Sequence, residues 1–285
     1  MIPAPFEYRA PVSLAEALVI LSKYGAEARV IAGGHGLIPA LKMRFSTPAL
    51  VVDLRRIPGL GAIEAAGDGV RIGALATHAE AAQSGVIAAR APLLAAVAAQ
   101  VGDPQVRSWG TVVGSICQAD PAGDIAAALL ALEASVETAS PRGARSIPLG
   151  DFIEGMFQVA LAPDEIAVAV TTPAPARGTC AYSKTWQSAS GLAIAGVAAQ
   201  LRMEEGRAAG IAVAVTGVAD KPFRARALED ALRGRAIEPD LVAEAARGIA
   251  EGRSVLSDMH ASAEYRAHLA EVHARRAVLM AGGKA

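Results

Sequence analysis

Two glycine-rich segments far apart in the chain constrain its fold more than any other feature. The first, Ile31-Ala-Gly-Gly-His-Gly-Leu37, follows a short apolar stretch at 28–32 that reads as a buried strand, and it precedes a helical pattern over 37–43. Gly33, Gly34 and Gly36 lack a Cβ, so the turn can take positive φ and aim successive N–H groups into one concavity, with a helix N-terminus behind it. Such a concavity suits a phosphate. The second segment, Gly110-Thr-Val-Val-Gly-Ser115, has Asp120 and Asp124 close behind. Thr111 and Ser115 can add hydroxyl donors there, and Gly114 permits close backbone approach. One such loop alone is most simply an ordinary strand-to-helix turn; two phosphate-reading loops suit a pyrophosphate.

The pattern around these segments alternates helices and strands. Ser13-Leu-Ala-Glu16 is a capping box that opens a helix ended by Gly25, and 50–53 reads as the strand after the first loop. Ile57-Pro58-Gly59 breaks the pattern and begins a second block. In it, 70–74 reads as a strand, Thr77-His-Ala-Glu80 as another capping box, 92–101 as a helix, 124–131 as a helix, and 134–138 and 165–171 as strands. Pro173-Ala-Pro175 marks a domain boundary. Beyond it, 192–203 and 208–218 flank Glu204-Glu-Gly206-Arg as a β-hairpin. Three helical patterns finish the chain, over 223–232, 239–249 and 262–279, the last with Tyr265, Leu269, Val272 and Leu279 at helical spacing.

The residues exclude several kinds of chemistry. The first loop is no Rossmann fingerprint, because Pro39 stands where a third glycine is required, and no G-x-x-x-x-G-K-S/T occurs. There is no H-E-x-x-H, no G-x-S-x-G and no Cys/His dyad. His35 inside the first loop reads as a backbone-ordering residue, and His260, His268 and His273 as surface or capping residues. For Asp120, ahead of Pro121, helix capping is the simplest role. Asp124 is better suited to bind ribityl or ribose hydroxyls, since a carboxylate accepts two hydrogen bonds from a polyol. With no visible acid–base or nucleophilic apparatus, an enzyme built this way would leave the reaction to a bound cofactor.

The chain has 285 residues, 53% of them hydrophobic, which makes two domains the natural division. Lys+Arg 27 against Asp+Glu 28, with no basic run, gives no nucleic-acid face. Two cysteines, Cys117 and Cys180, cannot by themselves hold an iron–sulfur cluster or zinc, so any metal chemistry is expected in another chain. The first residues have neither a basic n-region nor an apolar h-region, and the longest apolar run, 125–132, is too short to span a bilayer. The expected location is cytoplasmic, or peripheral at the inner face of the cytoplasmic membrane.

At these residues the chain resembles the FAD-binding medium subunits of the molybdenum hydroxylases, the family of the carbon monoxide dehydrogenase flavoprotein and the xanthine dehydrogenase flavin domain. The family's A-G-G-H/Q-S-L loop matches Ala32-Gly-Gly-His-Gly-Leu37. Its long V-R-N-x-G-T-I/V-G-G-S signature matches Val106 to Ser115 and runs on through Asp120-Pro121 to Asp124. Ala181-Tyr-Ser-Lys184, Thr216-Gly-Val-Ala-Asp-Lys-Pro222 and His260-Ala-Ser-Ala-Glu-Tyr-Arg266 extend the match to the C-terminal part.

The resemblance implies an α+β fold: an FAD-binding domain of the vanillyl-alcohol-oxidase type over 1–175, in subdomains of 1–56 and 57–175, then a smaller C-terminal domain of antiparallel sheet plus helices over 176–285. It implies that Ala32, Gly33, Gly34, His35, Gly36 and Leu37 line the pyrophosphate and nearby flavin, and that Gly110, Thr111, Gly114 and Ser115 form the opposing clamp with Asp120 beside them. Asp124 would bind FAD hydroxyls, and Lys184 would approach from the second domain. FAD would pass electrons from a partner's iron–sulfur clusters to an external acceptor. A large molybdenum-binding subunit and a small 2Fe–2S subunit would complete a dimer of heterotrimers. Two positions depart from the family pattern: Gly36 replaces a serine, and Val113 replaces the first glycine of the G-G pair. A β-branched side chain where backbone and phosphate nearly touch is expected to weaken binding. With the hydroxyl lost at Gly36, it gives an alternative reading, a scaffold subunit that has lost or weakened its FAD site. A stand-alone flavin oxidase would need substrate acid–base residues that the chain does not show.

Overall fold

The computed structural model describes residues 1–173 and 178–284. The N-terminal block is a parallel three-stranded sheet with Leu50–Asp53 in the centre, flanked by Glu7–Arg9 and Ala28–Ile31. The central strand is buried along its whole length, as a strand covered on both faces must be. Helix Leu14–Tyr24 packs Ala17, Ile20 and Leu21 into this core. Ser13 Oγ accepts from the Glu16 N–H, while the Glu16 carboxylate accepts from Val12 rather than closing the full box, and Gly25 ends the helix at φ +51°.

The second block is a five-stranded antiparallel sheet in the order Ile63–Ala66, Gly69–Gly73, Ile166–Thr172, Ser135–Ser140, Gly143–Pro148. Helices gather on it around a core that includes Ile72, Leu94, Ile116, Ile125 and Phe152. Helix Asp124–Ala131 is buried on every side. An all-round apolar helix needs cover all round, and the cover comes partly from Tyr182, Ala198 and Ala214 of the C-terminal sheet, which join the same core.

That C-terminal sheet is antiparallel, ordered Thr179–Trp186, Ala193–Glu204, Arg207–Thr216, Phe223–Arg224. Its long hairpin turns at Glu205 and Gly206, both at positive φ (49° and 75°), the backbone of a type I′ turn. Two expectations are corrected here. Phe223 and Arg224 are not helical: they add an edge strand to Arg207–Thr216, and the helix starts only at Arg226. Helix Ala263–Ala281 is present, but Tyr265 is exposed, and the inward face carries Leu269 with Ala270, Ala274, Ala277 and Ala281. Small side chains let the helix lie close on the sheet, and the buried stripe combines these alanines with Leu269 and Val278. Pro173 ends the first described stretch, and the rest of the expected boundary, 174–175, lies outside the described residues. Among the described residues no helix is long and apolar enough to cross a membrane.

Candidate cofactor site

Strand Ala28–Ile31 ends with Ile31 in register with Asp53, so the first glycine loop leaves from the carboxyl ends of parallel strands. That edge is where open α/β sheets hold their ligands. Gly34 takes φ +80°, a conformation that only glycine adopts freely, and its carbonyl accepts from Ile38 N–H at 2.8 Å as helix Leu37–Lys42 begins. Among the described residues the N–H groups of Gly33, Gly34, His35 and Gly36 donate to no backbone acceptor. Adjacent backbone donors left without a backbone acceptor on a half-exposed turn are the kind of donor set that an anion-binding concavity uses.

The second segment is built differently from the loop expected of it. Helix Pro104–Trp109 ends at Gly110, and Thr111 caps a new helix, Val112–Gln118, its Oγ1 accepting from Gly114 N–H at 3.0 Å. Gly114 and Ser115 thus lie in the first turns of a helix. Thr111 is itself pinned by a short bridge to Thr77, with His78 N–H donating to the Gly110 carbonyl at 2.8 Å and Val112 N–H to Ala76 at 3.0 Å. Val113 keeps a negative φ, and its side chain is buried in the core. Val113 thus fills the core from inside a helix, where a position in a glycine loop was expected.

The two segments meet. A Cβ on Gly33 would overlap the carbonyl oxygen of Trp109 and come within 3.1 Å of the Gly110 Cα, while a Cβ on Gly36 would run into the side-chain amide of Gln118. The first loop thus lies against the start of the second segment and against the end of the helix that it opens. Beneath the junction sits His78, which the sequence reading passed over as part of a capping box. It is buried, a Cβ on Gly110 would come within 2.9 Å of its Cδ2 and 3.2 Å of its Nε2, and its Nδ1 has no partner among the described residues. Burial, with the nearby His35 and Arg107 adding to it, pushes the imidazole down to about 4, so the ring is neutral at pH 7.

The remaining candidates form a second cluster. Asp120 does not cap a helix: its Oδ1 accepts from Ala122 N–H at 2.9 Å in a tight turn, and Gly123 holds the cap position of helix Asp124–Ala131. Asp124 is buried and accepts from the Tyr182 hydroxyl and from Lys184 Nζ at 2.8 Å. Lys184 gives its other two donors to the carbonyls of Gln100 and Gly191, both at 2.9 Å. These two residues, one from each domain, pair with one another across the domain seam. Burial raises the Asp124 carboxyl, with the Lys184 charge pulling the other way. The same seam is sewn by Thr216 Oγ1, which donates to the carbonyls of Pro121 and Gly123 at 2.8 and 2.9 Å, and by Gly217 N–H to Pro121 at 2.7 Å.

His273 also departs from expectation. It is buried rather than superficial, and its two ring nitrogens bond Ser183 Oγ and Thr185 Oγ1, each at 2.8 Å, tying the long C-terminal helix to strand Thr179–Trp186. Among the described residues no group of histidines, cysteines and carboxylates could hold a metal ion.

A parallel sheet with a glycine loop at its carboxyl edge, pressed against a capped helix start, defines a nucleotide-diphosphate binding protein. Residues 4–175 match the family model described as the FAD binding domain in molybdopterin dehydrogenase, and residues 180–281 match the CO dehydrogenase flavoprotein C-terminal domain. The chain belongs to this family of FAD-binding oxidoreductase subunits. It is 35% identical over 279 residues to the carbon monoxide dehydrogenase medium chain of Hydrogenophaga pseudoflava, covering 98% of this chain and 97% of that one. It is also 35% identical over 277 residues to the nicotine 6-hydroxylase medium subunit of Paenarthrobacter nicotinovorans, covering 97% of each. The solved carbon monoxide dehydrogenase from Hydrogenophaga pseudoflava superposes with a TM-score of 0.96 at 36% identity, over 100% of this chain and 99% of that one.

Proposed function

We propose that the chain binds one FAD between its two glycine segments and serves as the electron-transfer subunit of a molybdenum hydroxylase. The observation that carries this reading is the junction of Gly33 with Trp109 and Gly110, which sets the unpaired N–H groups of residues 33–36 beside the start of helix Val112–Gln118. Backbone donors of that kind fit a diphosphate. When bound, FAD supplies chemistry that accepts electrons singly and releases them in pairs.

The protein's own work is to bind and position. Residues 32–37 would hold the diphosphate, Gly110, Thr111, Gly114 and Ser115 would close the opposite wall, and Asp120 would shape the turn behind it. Asp124 and Lys184 would lock the C-terminal domain against the cleft, holding the wall that the flavin end needs. Helix and loop N–H groups are fixed before the ligand arrives, so little ordering is needed on binding. No side chain has to move a proton for such a relay.

In the same reading, the FAD domain is 1–175 and the C-terminal domain 176–285. The molybdenum cofactor and 2Fe–2S clusters belong to a large and a small partner subunit, in a dimer of heterotrimers in the cytoplasm. Of the two departures behind the scaffold alternative, Val113 faces the core, and Gly36 remains. Purification of the native complex tests the assembly: flavin absorbance with two further polypeptides is expected, and a single colourless polypeptide would refute it.

A further inference from the structure

The carboxyl edge that carries the first glycine loop also carries a cluster that the site so far described does not use. Asp53, the last residue of the central strand, is buried to 1% exposure. It accepts from the Tyr8 hydroxyl at 2.6 Å and from the Arg55 backbone N–H at 2.9 Å, and it grips the Arg55 side chain through Nε (2.9 Å to Oδ2) and Nη2 (2.6 Å to Oδ2). The guanidinium is held in a fork and covered by the Trp109 ring, whose centroid lies 5.8 Å from Arg55 Cζ. Trp109 is the residue whose carbonyl meets Gly33. Among the described residues Arg55 Nη1 has no acceptor, and half of the Arg55 side chain is open to solvent.

A surface salt bridge made only for stability gains little, and a solvent-exposed partner would not need a buried carboxylate, a tyrosine hydroxyl and an indole to orient it. The carboxylate fixes the plane of the guanidinium, the indole covers one face, and the free edge is open to solvent next to a strand end in register with Ile31, which leads into the glycine loop. Such an arrangement pre-organises a donor for an anion, as outer partners orient a ligand-binding group elsewhere.

We propose that Arg55 is a phosphate-binding residue of this cleft, oriented by Asp53 and Trp109, whose Nη1 donates to the diphosphate of the bound dinucleotide. The proposal rests on the FAD reading above but adds a charged contact to a site otherwise made of backbone donors.

The test is titration of the full-length apo chain with FAD, followed by flavin fluorescence, for the wild type, Arg55→Gln, Arg55→Lys and Trp109→Leu. Inorganic pyrophosphate serves as a competitor, and each variant's thermal midpoint is recorded. Arg55→Gln should lose on the order of tenfold to a hundredfold in FAD affinity at low salt, with a smaller loss at high salt, and pyrophosphate should compete less well. Arg55→Lys, which keeps the charge but not the fork, should fall between, and Trp109→Leu should lose about threefold as the guanidinium loosens. An Arg55→Gln protein that melts earlier yet binds FAD and pyrophosphate like the wild type would overturn the proposal and leave the FAD reading intact. A folded wild type that binds no FAD would remove both.

Discussion

The carbonyl oxygen of Trp109 stands in the space where a side chain on Gly33 would begin. The glycine is required by the close approach of two backbones, since its φ lies outside the left-handed region. Gly33→Ala should push the segments apart, cost about 1–3 kcal/mol of stability by overpacking, and weaken FAD binding at least tenfold. Denaturant titration and flavin fluorescence measure the two effects. Unchanged affinity in a folded Gly33→Ala protein would separate the junction from the ligand.

Val113 gives the opposite expectation. Because its side chain fills the core from inside helix Val112–Gln118, Val113→Gly should lose about 3 kcal/mol from the cavity and the poor helix propensity of glycine. FAD affinity should hardly change. Tighter FAD binding by Val113→Gly would instead show that the valine obstructs the site.

Lys184 and Asp124 are both nearly inaccessible, with side-chain exposures of 4% and 3%. Removing the ammonium in Lys184→Met would strand a buried carboxylate and two carbonyl acceptors, at a cost of about 3–5 kcal/mol. The double variant Lys184→Met with Asp124→Asn should recover part of that loss, and the recovery, read from a double-mutant cycle, reports the coupling across the seam. Additive losses would mean that the two residues act separately.

His78 and His273 set the acid limit. Both are held down to about 4 by burial, against an ordinary value of 6.5. The unfolded chain therefore binds protons that the folded chain refuses between those values. Stability from these groups is complete above about pH 6.5 and is lost as pH falls toward 4. Urea midpoints should drop between pH 7 and pH 5, and His273→Gln, which can keep one of the two hydroxyl bonds, should flatten the slope. Glu165, held at about 2, does not enter this window: burial opposes its charge, but the Arg145 and Thr138 hydrogen bonds outweigh it. A midpoint independent of pH from 7 to 5 would contradict the assignment of buried neutral rings.

Local signals carried much of this architecture in the sequence. Strand Leu50–Asp53, helix Asp124–Ala131 and the Glu205-Gly206 hairpin are marked by apolar runs, a helical period and a turn dipeptide, and all appear where those signals put them. Strand Gly143–Pro148 gives no such signal: it is exposed except at Ile147, so no alternation marks it. Phe223–Arg224 is too short to escape the helical period that follows it. Burial of His273 depends on Ser183 and Thr185 arriving from a distant strand, and no spacing encodes that meeting. The glycine segments themselves were legible, but not their contact. Nor was the helical setting of the second one, because Gly110 and Gly114 look like loop residues until Thr111 is seen as a cap.

The most direct measurement of the central claim is an FAD titration of the folded apo chain, wild type against Gly33→Ala. The account predicts saturable binding of one FAD per chain by the wild type, competed by pyrophosphate and lost or sharply weakened in the variant. A folded wild-type chain that shows no saturable flavin binding would contradict it.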